Sequence, residues 1–365
     1  MAKRRHTVGI IGLGFGAAHI PGWQAQGCDV VAVCQRNVEK AKAVADRYGI
    51  PRVFERWEEM LAEATPEIVD IAPPPHLHHR IAIEAFGRGA HVLCEKPMAM
   101  NAAEAQAMAE AAGRAGRVGM ICFNWRFPAG MQRFHDMVQA GHLGRFFHIG
   151  ARWLGGRWAD ESLPSTWRMD RAQAGHGALG DMGVHLIDLI GWNFGEMTRV
   201  SAHAGAAYPS RTVPGGGKPA DAEDFCSVTA DLASGGQVTL VASRVARGVN
   251  EHTVEAYGSA GALSYRLARE GARWYRGELR AATTGNFEPV RVPSGLPRTA
   301  GEGDPMEVIG KTTIAPLVKR FLAGVRKGES LSPSFEDGVR SQQVLDAVLE
   351  SIGSGNWVTV EGTAR

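Results

Sequence analysis

The sequence of 365 residues predicts an α/β fold with two domains: an N-terminal doubly wound parallel sheet, then an α+β domain with a large, mostly antiparallel open sheet. Two observations predict it. Apolar β-type runs alternate with helical patterns as far as residue 122, and from about residue 125 β-type runs follow one another with turn signals between them. We expect the first domain to span residues 1–123 and the second residues 124–365, with the C-terminal helix packing back on the first domain.

The strands expected in the first domain lack strict polar alternation, which indicates that both faces of their sheet are covered. They lie at residues 7–13, 29–34, 67–72, 90–94 and 118–122. Helical patterns rich in Ala, Glu, Gln and Arg separate them, at residues 17–26, 38–48, 76–87 and 102–115. Strands and helices in alternation predict a parallel sheet with helices on both faces.

The second domain begins with a helical pattern at residues 128–140 and has a glycine-rich helix near residue 180. Its β-type runs are expected at residues 145–153, 225–232, 237–243, 253–258 and 262–266. The turn signals ASGG and GSAG separate some of these runs, which favours antiparallel pairing. We interpret residues 208–222, which contain PGGGKPADA, as a surface loop.

The composition argues against several classes of protein. Forty basic and 38 acidic side chains give a net charge of +2, and no basic run is interleaved with aromatic residues, so nothing indicates a nucleic-acid partner. No apolar stretch approaches the roughly 18 residues of a membrane span, and we expect a cytoplasmic protein with no membrane partner. The five cysteines are odd in number and lack CxxC spacing, which favours buried, reduced thiols over disulfides or a zinc site.

The run VGIIGLGFGAAH places Gly12, Gly14 and Ala17 in a glycine loop between the first strand and the first helix. Gly12 would permit a tight turn, Gly14 would let the backbone approach a pyrophosphate, and Ala17 would keep helix and strand close. Free N–H groups at the start of the helix favour phosphate. The position of this loop at the first strand of an alternating β/α domain predicts a Rossmann dinucleotide site, which Phe15 and Gly16 also line.

The end of the second strand carries Gln35 where a carboxylate for the ribose is expected in an NAD-binding domain. A carboxylate would repel the 2'-phosphate of NADP, but glutamine would not, and Arg36 could pair with that phosphate or stack on the adenine. A solvated surface charge is an equal alternative for Arg36. The sequence therefore predicts NAD or NADP and does not decide between them.

The segment GHGALGDMGVHLIDLIGW is mostly small or apolar, yet Asp181, His185 and Asp188 recur at i, i+4 and i+7 and share one helical face. Polar side chains on a buried helix need partners or a pocket. A partly solvated stripe with a core histidine is one interpretation, and metal ligation by Asp and His one turn apart is another. We favour a catalytic pocket, because four glycines between residues 175 and 183 thin the helix where a ligand could approach.

Six segments of the chain match the motifs of a known family. They are GLGFGAAH, PPPHLHHRIAIEA, HVLCEKPMAM, NWRFPAG, GHGALGDMGVHLIDL and SPSFEDGVRSQQVLDAVLES. On these segments, which are spread over nearly the whole chain, it resembles the Gfo/Idh/MocA oxidoreductases, named for glucose-fructose oxidoreductase, inositol dehydrogenase and a rhizopine catabolism protein. The EKP and D-x-x-x-H elements together are highly specific.

The resemblance implies an NAD(P)-dependent enzyme that transfers hydride between nicotinamide C4 and a secondary alcohol or ketone of a sugar, inositol or related polyol. It implies a substrate-binding and oligomerisation domain whose open sheet joins chains into a homodimer or homotetramer. It places the catalytic group on Lys96, Asp181 and His185 and makes Pro97 cis. No metal is expected. The positions expected against the cofactor, beyond the glycine loop, are Gln35, Arg36, Pro73, His78, Glu95 and Lys96.

The chemistry of alcohol oxidation assigns roles to this group. A base must remove the hydroxyl proton, and His185 is the best candidate because the ordinary pKa of histidine is nearest neutrality. Lys96 would donate a hydrogen bond to the same oxygen and stabilise the developing alkoxide, and Asp181 would bind substrate and hold the charge balance. The roles of Lys96 and His185 could be exchanged.

Residues expected to line the substrate site are Asn124, Arg126, Trp153, Trp158, Trp167, Arg168 and His176. Tryptophan suits stacking on a sugar ring, although three tryptophans could equally pack at an interface. His176 stands where the family usually has a glycine, and it could touch substrate or point to solvent.

Two other functions fit the same fold. One is an NAD-dependent glycosidase or sugar lyase, which oxidises a ring hydroxyl transiently and regenerates its cofactor in each cycle. The other is a sensor that keeps the fold and the nucleotide without catalysis. The presence of Lys96, Asp181 and His185 together argues against the sensor.

Overall fold

A computed structural model describes residues 5–208, 210–211, 219–271, 274–293, 295–296 and 300–362 of the chain. The chain forms two compact units, one comprising Met1–Asn124 and Ala300–Val339, the other Trp125–Thr299 and Arg340–Arg365. This grouping differs from the expected second domain at residues 300–339, which belong to the first unit. Most of the expected loop at residues 208–222 lies outside the described residues.

The first unit contains the predicted parallel sheet. Its six strands are β1 (Thr7–Ile11), β2 (Asp29–Cys34), β3 (Arg52–Phe54), β4 (Ile68–Ile71), β5 (His91–Cys94) and β6 (Gly119–Ile121). Their order is β3-β2-β1-β4-β5-β6, and every neighbouring pair is parallel. The order reverses between β1 and β4, so ligands are expected at the carboxyl ends of these two strands.

Five helices connect these strands: α1 (His19–Ala25), α2 (Val38–Tyr48), α3 (Trp57–Glu63), α4 (His78–Gly87) and α5 (Ala102–Ala115). Side-chain caps begin two of them, since Asn37 Oδ1 accepts the N–H of Lys40 and Asn101 Oδ1 accepts that of Glu104. β3 and α3, which are three and seven residues long, were not predicted.

The second unit contains a nine-stranded sheet in the order β14-β13-β12-β11-β7-β10-β9-β8-β15. Its strands are β7 (Phe146–Gly155), β8 (Met197–Gly205), β9 (Phe225–Leu232), β10 (Gln237–Ser243), β11 (Asn250–Gly258), β12 (Ala262–Ala268), β13 (Glu278–Ala282), β14 (Glu288–Pro289) and β15 (Val358–Thr359). Only the β7–β10 pair is parallel among these described strands. The predicted mostly antiparallel sheet is therefore confirmed.

Three helices of the second unit precede or interrupt this sheet: α6 (Ala129–Gln139), α7 (Arg171–Ala174) and α8 (Val184–Phe194). The glycine-rich helix predicted near residue 180 is present, but its first turn, Leu179–Gly183, is a π-helix that continues directly into α8. π-helical turns widen a helix locally and are frequent at functional sites.

Residues 300–339 pack on α1, which explains why they belong to the first unit. They form α9 (Pro305–Ile309), a π-helical turn at Gly310–Ile314 and α10 (Ala315–Lys327), and α11 (Phe335–Ser354) begins at their end. A Cβ atom added at Gly22 of α1 would lie 2.7 Å from Ile314 Cγ2, and Trp23 meets Phe321 edge to face.

None of the helices in the described part of the chain has both the length and the apolar character needed to span a membrane.

Candidate active site

The glycine loop has the close contacts that a dinucleotide site requires. Gly12 has φ +87°, and a Cβ atom there would lie 2.4 Å from the backbone nitrogen of Pro73. The close approach expected of Ala17 belongs instead to Gly16, whose added Cβ would lie 2.9 Å from the Cβ of Ala72, while Ala17 is half-buried. The reason is that a 3-10 turn at Gly16–Ala18 precedes α1 and turns Gly16 toward the sheet.

The outer side of the loop is open, as a phosphate-binding backbone must be. Gly14 is exposed, and no described atom outside its chain neighbours lies within 4 Å of the place where its Cβ would stand. Gln35 directly follows β2 and holds the loop, because its Oε1 accepts the N–H of Leu13 at 3.1 Å. Arg36 is exposed beside it, and the ring of Phe15 meets His19 edge to face at 5.6 Å. These residues fit a dinucleotide, with no carboxylate at the ribose position.

The loop after β4 and the turn after β5 are joined by a histidine. His78 lies 2.9 Å by Nε2 from the carbonyl of Pro73 and 2.9 Å by Nδ1 from the carbonyl of Pro97. Burial lowers the pKa of His78, so the neutral ring donates to one of these carbonyls at a time. Its buried ring braces the backbone around the site, a role different from the expected cofactor contact.

Lys96 lies in the turn at the carboxyl end of β5. The Lys96–Pro97 peptide bond is cis, as predicted. The Lys96 side chain is partly exposed, whereas Glu95 and Pro97 on either side of it are buried. Glu95 Oε2 accepts the backbone N–H of Lys96 at 3.2 Å. The turn therefore separates a fixed, buried glutamate from a lysine that reaches outward.

In the second unit, the three polar residues of the Asp-His helix have different surroundings. Asp181 lies in the π-helical turn and is 31% exposed, with Arg168 Nε 3.7 Å from its Oδ1. His185 is buried in the first turn of α8. Asp188 forms a buried bidentate ion pair with Arg126. Contrary to expectation, neither of these two side chains lines an open site. A guanidinium fork matches a carboxylate in planar geometry, which explains this pairing.

Aromatic rings surround His185. Trp153 lies between His185 and His252, with ring centroids 5.4 and 4.6 Å away, and Trp125 meets both histidines at steep angles. Trp153 is only 7% exposed. Its expected stacking on substrate is therefore less well supported than a role in holding the imidazole of His185.

The segment before the Asp-His helix is fixed by Glu223. Glu223 Oε1 accepts the N–H groups of Gly177 at 2.6 Å and Leu179 at 3.0 Å, and a Cβ atom at Gly177 would lie 1.9 Å from the Glu223 carbonyl oxygen. His176 between Gly175 and Gly177 is buried, and neither of its ring nitrogens has a hydrogen-bond partner among the described residues. Burial, and then the charge of Arg171, lowers its pKa to about 4.

Two arginines stack on tryptophans, and one of them, Arg168, is the arginine that faces Asp181. Arg168 stacks on Trp167 at 4.4 Å and Arg157 on Trp158 at 5.1 Å, and all four side chains are exposed or half-buried. Arg269 lies over Trp125 at 5.3 Å and was not predicted. Burial lowers the pKa of Arg269, an effect that the charge of Asp181 opposes and that of Arg157 adds to.

Sequence reasoning also missed two supporting residues, Asp224 and Arg244. Arg244 Nε donates to Asp224 Oδ1 at 2.7 Å, and Arg244 Nη1 donates to the carbonyl of Arg168 at 3.0 Å. This buried pair fixes the backbone of the residue that faces Asp181. The signal available in the sequence was the acidic pair Glu223-Asp224 directly before an alternating strand.

The first unit thus has a dinucleotide-binding loop, and both units have polar groups suited to proton transfer. A nicotinamide-dependent oxidoreductase requires both features. Comparison with known proteins agrees. Residues 6–123 match the "Oxidoreductase family, NAD-binding Rossmann fold", and residues 131–264 match the "GFO/IDH/MocA C-terminal domain". The chain belongs to the Gfo/Idh/MocA oxidoreductase family and has an NAD-binding Rossmann domain, as the sequence predicted.

Similar proteins include sugar dehydrogenases. Levoglucosan dehydrogenase of Pseudarthrobacter phenanthrenivorans is 31% identical over 97% of this chain and 98% of its own. D-apiose dehydrogenase of Paraburkholderia graminis is 26% identical over 98% of this chain and 90% of its own. A solved levoglucosan dehydrogenase in complex with NADH and levoglucosan has a TM-score of 0.88 and 30% identity, covering 98% of this chain and 100% of that one.

Proposed function

We propose that this oxidoreductase transfers hydride between a nicotinamide cofactor and a secondary alcohol or ketone of a sugar, inositol or related polyol. The observation that carries the proposal is the set of polar groups in this NAD-binding oxidoreductase: a partly exposed lysine at the carboxyl edge of the parallel sheet, an aspartate in the π-helical turn before α8 and a histidine in the first turn of α8. The likeness to levoglucosan and D-apiose dehydrogenases over nearly the whole chain supports a carbohydrate substrate.

We assign the cofactor to the glycine loop of Gly12, Gly14 and Gly16, with Gln35 and Arg36 at its ribose end. When bound, the nicotinamide accepts or supplies the hydride at its C4 atom. Because no carboxylate ends β2, Gln35 supports acceptance of either NAD or NADP.

The chain's own residues handle the proton. In alcohol oxidation, His185 takes the hydroxyl proton, and Lys96 donates a hydrogen bond to the same oxygen as negative charge develops on it. Asp181 accepts a hydrogen bond from a neighbouring hydroxyl and offsets the positive charge of Arg168, which lies 3.7 Å away. In ketone reduction the same groups act in reverse, so the proton returns to the oxygen.

We assign substrate specificity to His176, Trp158, Trp167 and Arg168. His176 supports this assignment because its buried ring has two nitrogens that no described residue satisfies, so a substrate hydroxyl could pair with them. Trp158, Trp167 and Arg168 are exposed or half-buried, which leaves part of each side chain accessible to a ligand. Asn124 is less suited, because its Nδ2 donates to Thr313 Oγ1 at 2.8 Å.

Assembly and location complete the proposal. We propose a homodimer or homotetramer through the nine-stranded sheet, supported by Phe225 and Val241, which are exposed diagonal neighbours on the face of β9 and β10 away from the core. A monomer by sedimentation at micromolar concentration would contradict this assembly.

The five buried, free thiols support a cytoplasmic location, which cell fractionation tests.

The test is a panel of free sugars, inositols, sugar acids and glycosides with both NAD and NADP. We expect net reduced cofactor, measured by absorbance at about 340 nm, with at least one free sugar or polyol. Turnover of a glycoside without net reduced cofactor would instead indicate transient oxidation within a cleavage cycle. Failure of the whole panel, with cofactor binding intact, would contradict the proposed substrate class.

A further inference from the structure

We propose that His19 and Asp70 are positioning residues for Lys96, because a buried chain of polar contacts, a hydrogen bond from His19 to Asp70 and an ion pair of His19 with Glu95, fixes the turn that carries it. This inference rests on the proposed function, in which Lys96 acts on the substrate oxygen. We refer to these three residues as the Asp70–His19–Glu95 chain.

The Asp70–His19–Glu95 chain begins at Asp70, a buried aspartate in the middle of the parallel sheet. Asp70 lies on β4, where all four residues are buried, and its carboxylate has no exposed surface. Such a group is costly unless it is hydrogen-bonded. Two donors from α1 satisfy it: Trp23 Nε1 at 2.6 Å and His19 Nδ1 at 2.9 Å. Asp70 thereby orients the ring of His19, the first residue of α1 after the glycine loop.

The opposite side of the same ring faces Glu95. His19 Nε2 lies 3.3 Å from Glu95 Oε1, and Cys122 Sγ lies 3.8 Å from the same nitrogen. Burial alone would lower the pKa of His19, but the carboxylate of Asp70 and the neighbouring Cys122 raise it well above its usual range. Burial would raise the pKa of Glu95, but the adjacent imidazole of His19 and the charge of Lys96 keep it below its usual range. A charged imidazolium therefore donates to Asp70 from Nδ1 and lies within ion-pair distance of Glu95 on its Nε2 side.

Glu95 transmits this anchoring to Lys96. Its Oε2 accepts the backbone N–H of Lys96. The carbonyl of the residue after Lys96, Pro97, lies 2.9 Å from His78 Nδ1. The backbone is thus held on both sides of Lys96 by buried side chains, while the lysine itself stays partly exposed. A displacement of about 1 Å at a reacting group can cost on the order of 100-fold in rate, so this support has a direct consequence for turnover.

A metal ion is the main alternative occupant of the cluster. The ligand-type atoms of His19, Glu95 and Cys122 lie within 4.8 Å of one another, close enough for a divalent cation to be held between them. The two alternatives differ in what purified protein contains. Metal analysis by mass spectrometry therefore accompanies the kinetic test.

The test separates the two links of the chain with amide variants. In His19→Asn the side-chain amide can reach the position of Nδ1 and bind Asp70, and in His19→Gln it can reach the position of Nε2 and bind Glu95. We expect both variants to keep the cofactor dissociation constant within about threefold of the wild-type value. Both should lower kcat by about 10- to 100-fold with little change in KM, and His19→Gln should be the more active of the two. Asp70→Asn, which is nearly isosteric, should lower kcat similarly and shift the pH profile of kcat.

The control is His91→Gln, at the other end of β5, whose Nδ1 accepts the N–H of Val118. It should keep the wild-type kcat and pH profile. Lys96→Ala is measured alongside: near-wild-type turnover there overturns the proposed function itself. Loss of turnover in Lys96→Ala with wild-type kcat and pH profile in His19→Asn, His19→Gln and Asp70→Asn overturns only the positioning role. One equivalent of metal per wild-type chain, absent from His19→Gln, would also overturn it.

Discussion

Arg126 and Asp188 form a bidentate ion pair whose side chains are only 3% and 2% exposed. We predict that Arg126→Met lowers the free energy of unfolding by about 3–5 kcal/mol, because it leaves an uncompensated carboxylate in the core. The double variant Arg126→Met/Asp188→Leu should recover most of this loss, since no buried charge remains. Urea denaturation measures both. Equal losses in the single and double variants would show that the pair itself, rather than the orphaned charge, supplies the stability.

Gly12 and Gly27 provide a matched pair for the glycine loop. Both have positive φ, but an added Cβ meets the backbone of Ala72 and Pro73 only at Gly12. Gly27→Ala should therefore cost about 1–2 kcal/mol of stability from backbone strain alone. Gly12→Ala should cost more than about 3 kcal/mol and weaken cofactor binding, because the loop must also move away from β4. Equal losses in thermal denaturation would contradict this account of the loop.

Gly14 separates cofactor binding from folding. Since no described atom outside its chain neighbours lies near its Cβ position, Gly14→Ala should leave stability unchanged within about 0.5 kcal/mol. Its methyl group would nevertheless occupy the side from which the pyrophosphate approaches, so we expect at least about tenfold weaker cofactor binding by calorimetry. Gly113→Ala, in the open surface of α5, is the control and should bind cofactor normally. Wild-type affinity in Gly14→Ala would remove the loop from the cofactor site.

The buried histidines of the second unit predict acid sensitivity. Burial, followed by the charge of Arg269, lowers the pKa of His252 to about 3. The unfolded state, with a histidine pKa of about 6.5, then binds more protons, so stability is complete above about pH 6.5 and falls as the pH drops toward 3. His252→Phe should reduce this fall, whereas replacement of the exposed His203 by Gln should not. Urea midpoints between pH 7 and 4 measure it, and parallel curves for His252→Phe and wild type would refute it.

The sequence predicted the fold well where its patterns are long, and less well where packing decides. The alternating strands and helices of residues 7–122 show a clear period, and the cis bond at Pro97 followed from the EKP motif. The packing of residues 300–339 on α1 depends on the small residues Gly22 and Gly310, whose long-range contacts leave no local pattern.

The site shows the same limit. Spacing placed Asp181, His185 and Asp188 on one face, but spacing could not reveal that Arg126 binds Asp188 or that a π-helical turn holds Asp181. Glu223 fixes the Asp-His segment and Arg269 stacks on Trp125, both from positions far along the chain, and only the fold brings them there.

The most direct test of the central claim is the turnover of Lys96→Ala and His185→Ala on a polyol that the wild type oxidises. The measurement is formation of reduced cofactor, with cofactor affinity determined separately by calorimetry. We predict that both variants lose turnover by at least about a thousandfold while their cofactor dissociation constants stay within about threefold of wild type. Near-wild-type turnover in both variants would contradict the assignment of these residues to hydride-transfer chemistry.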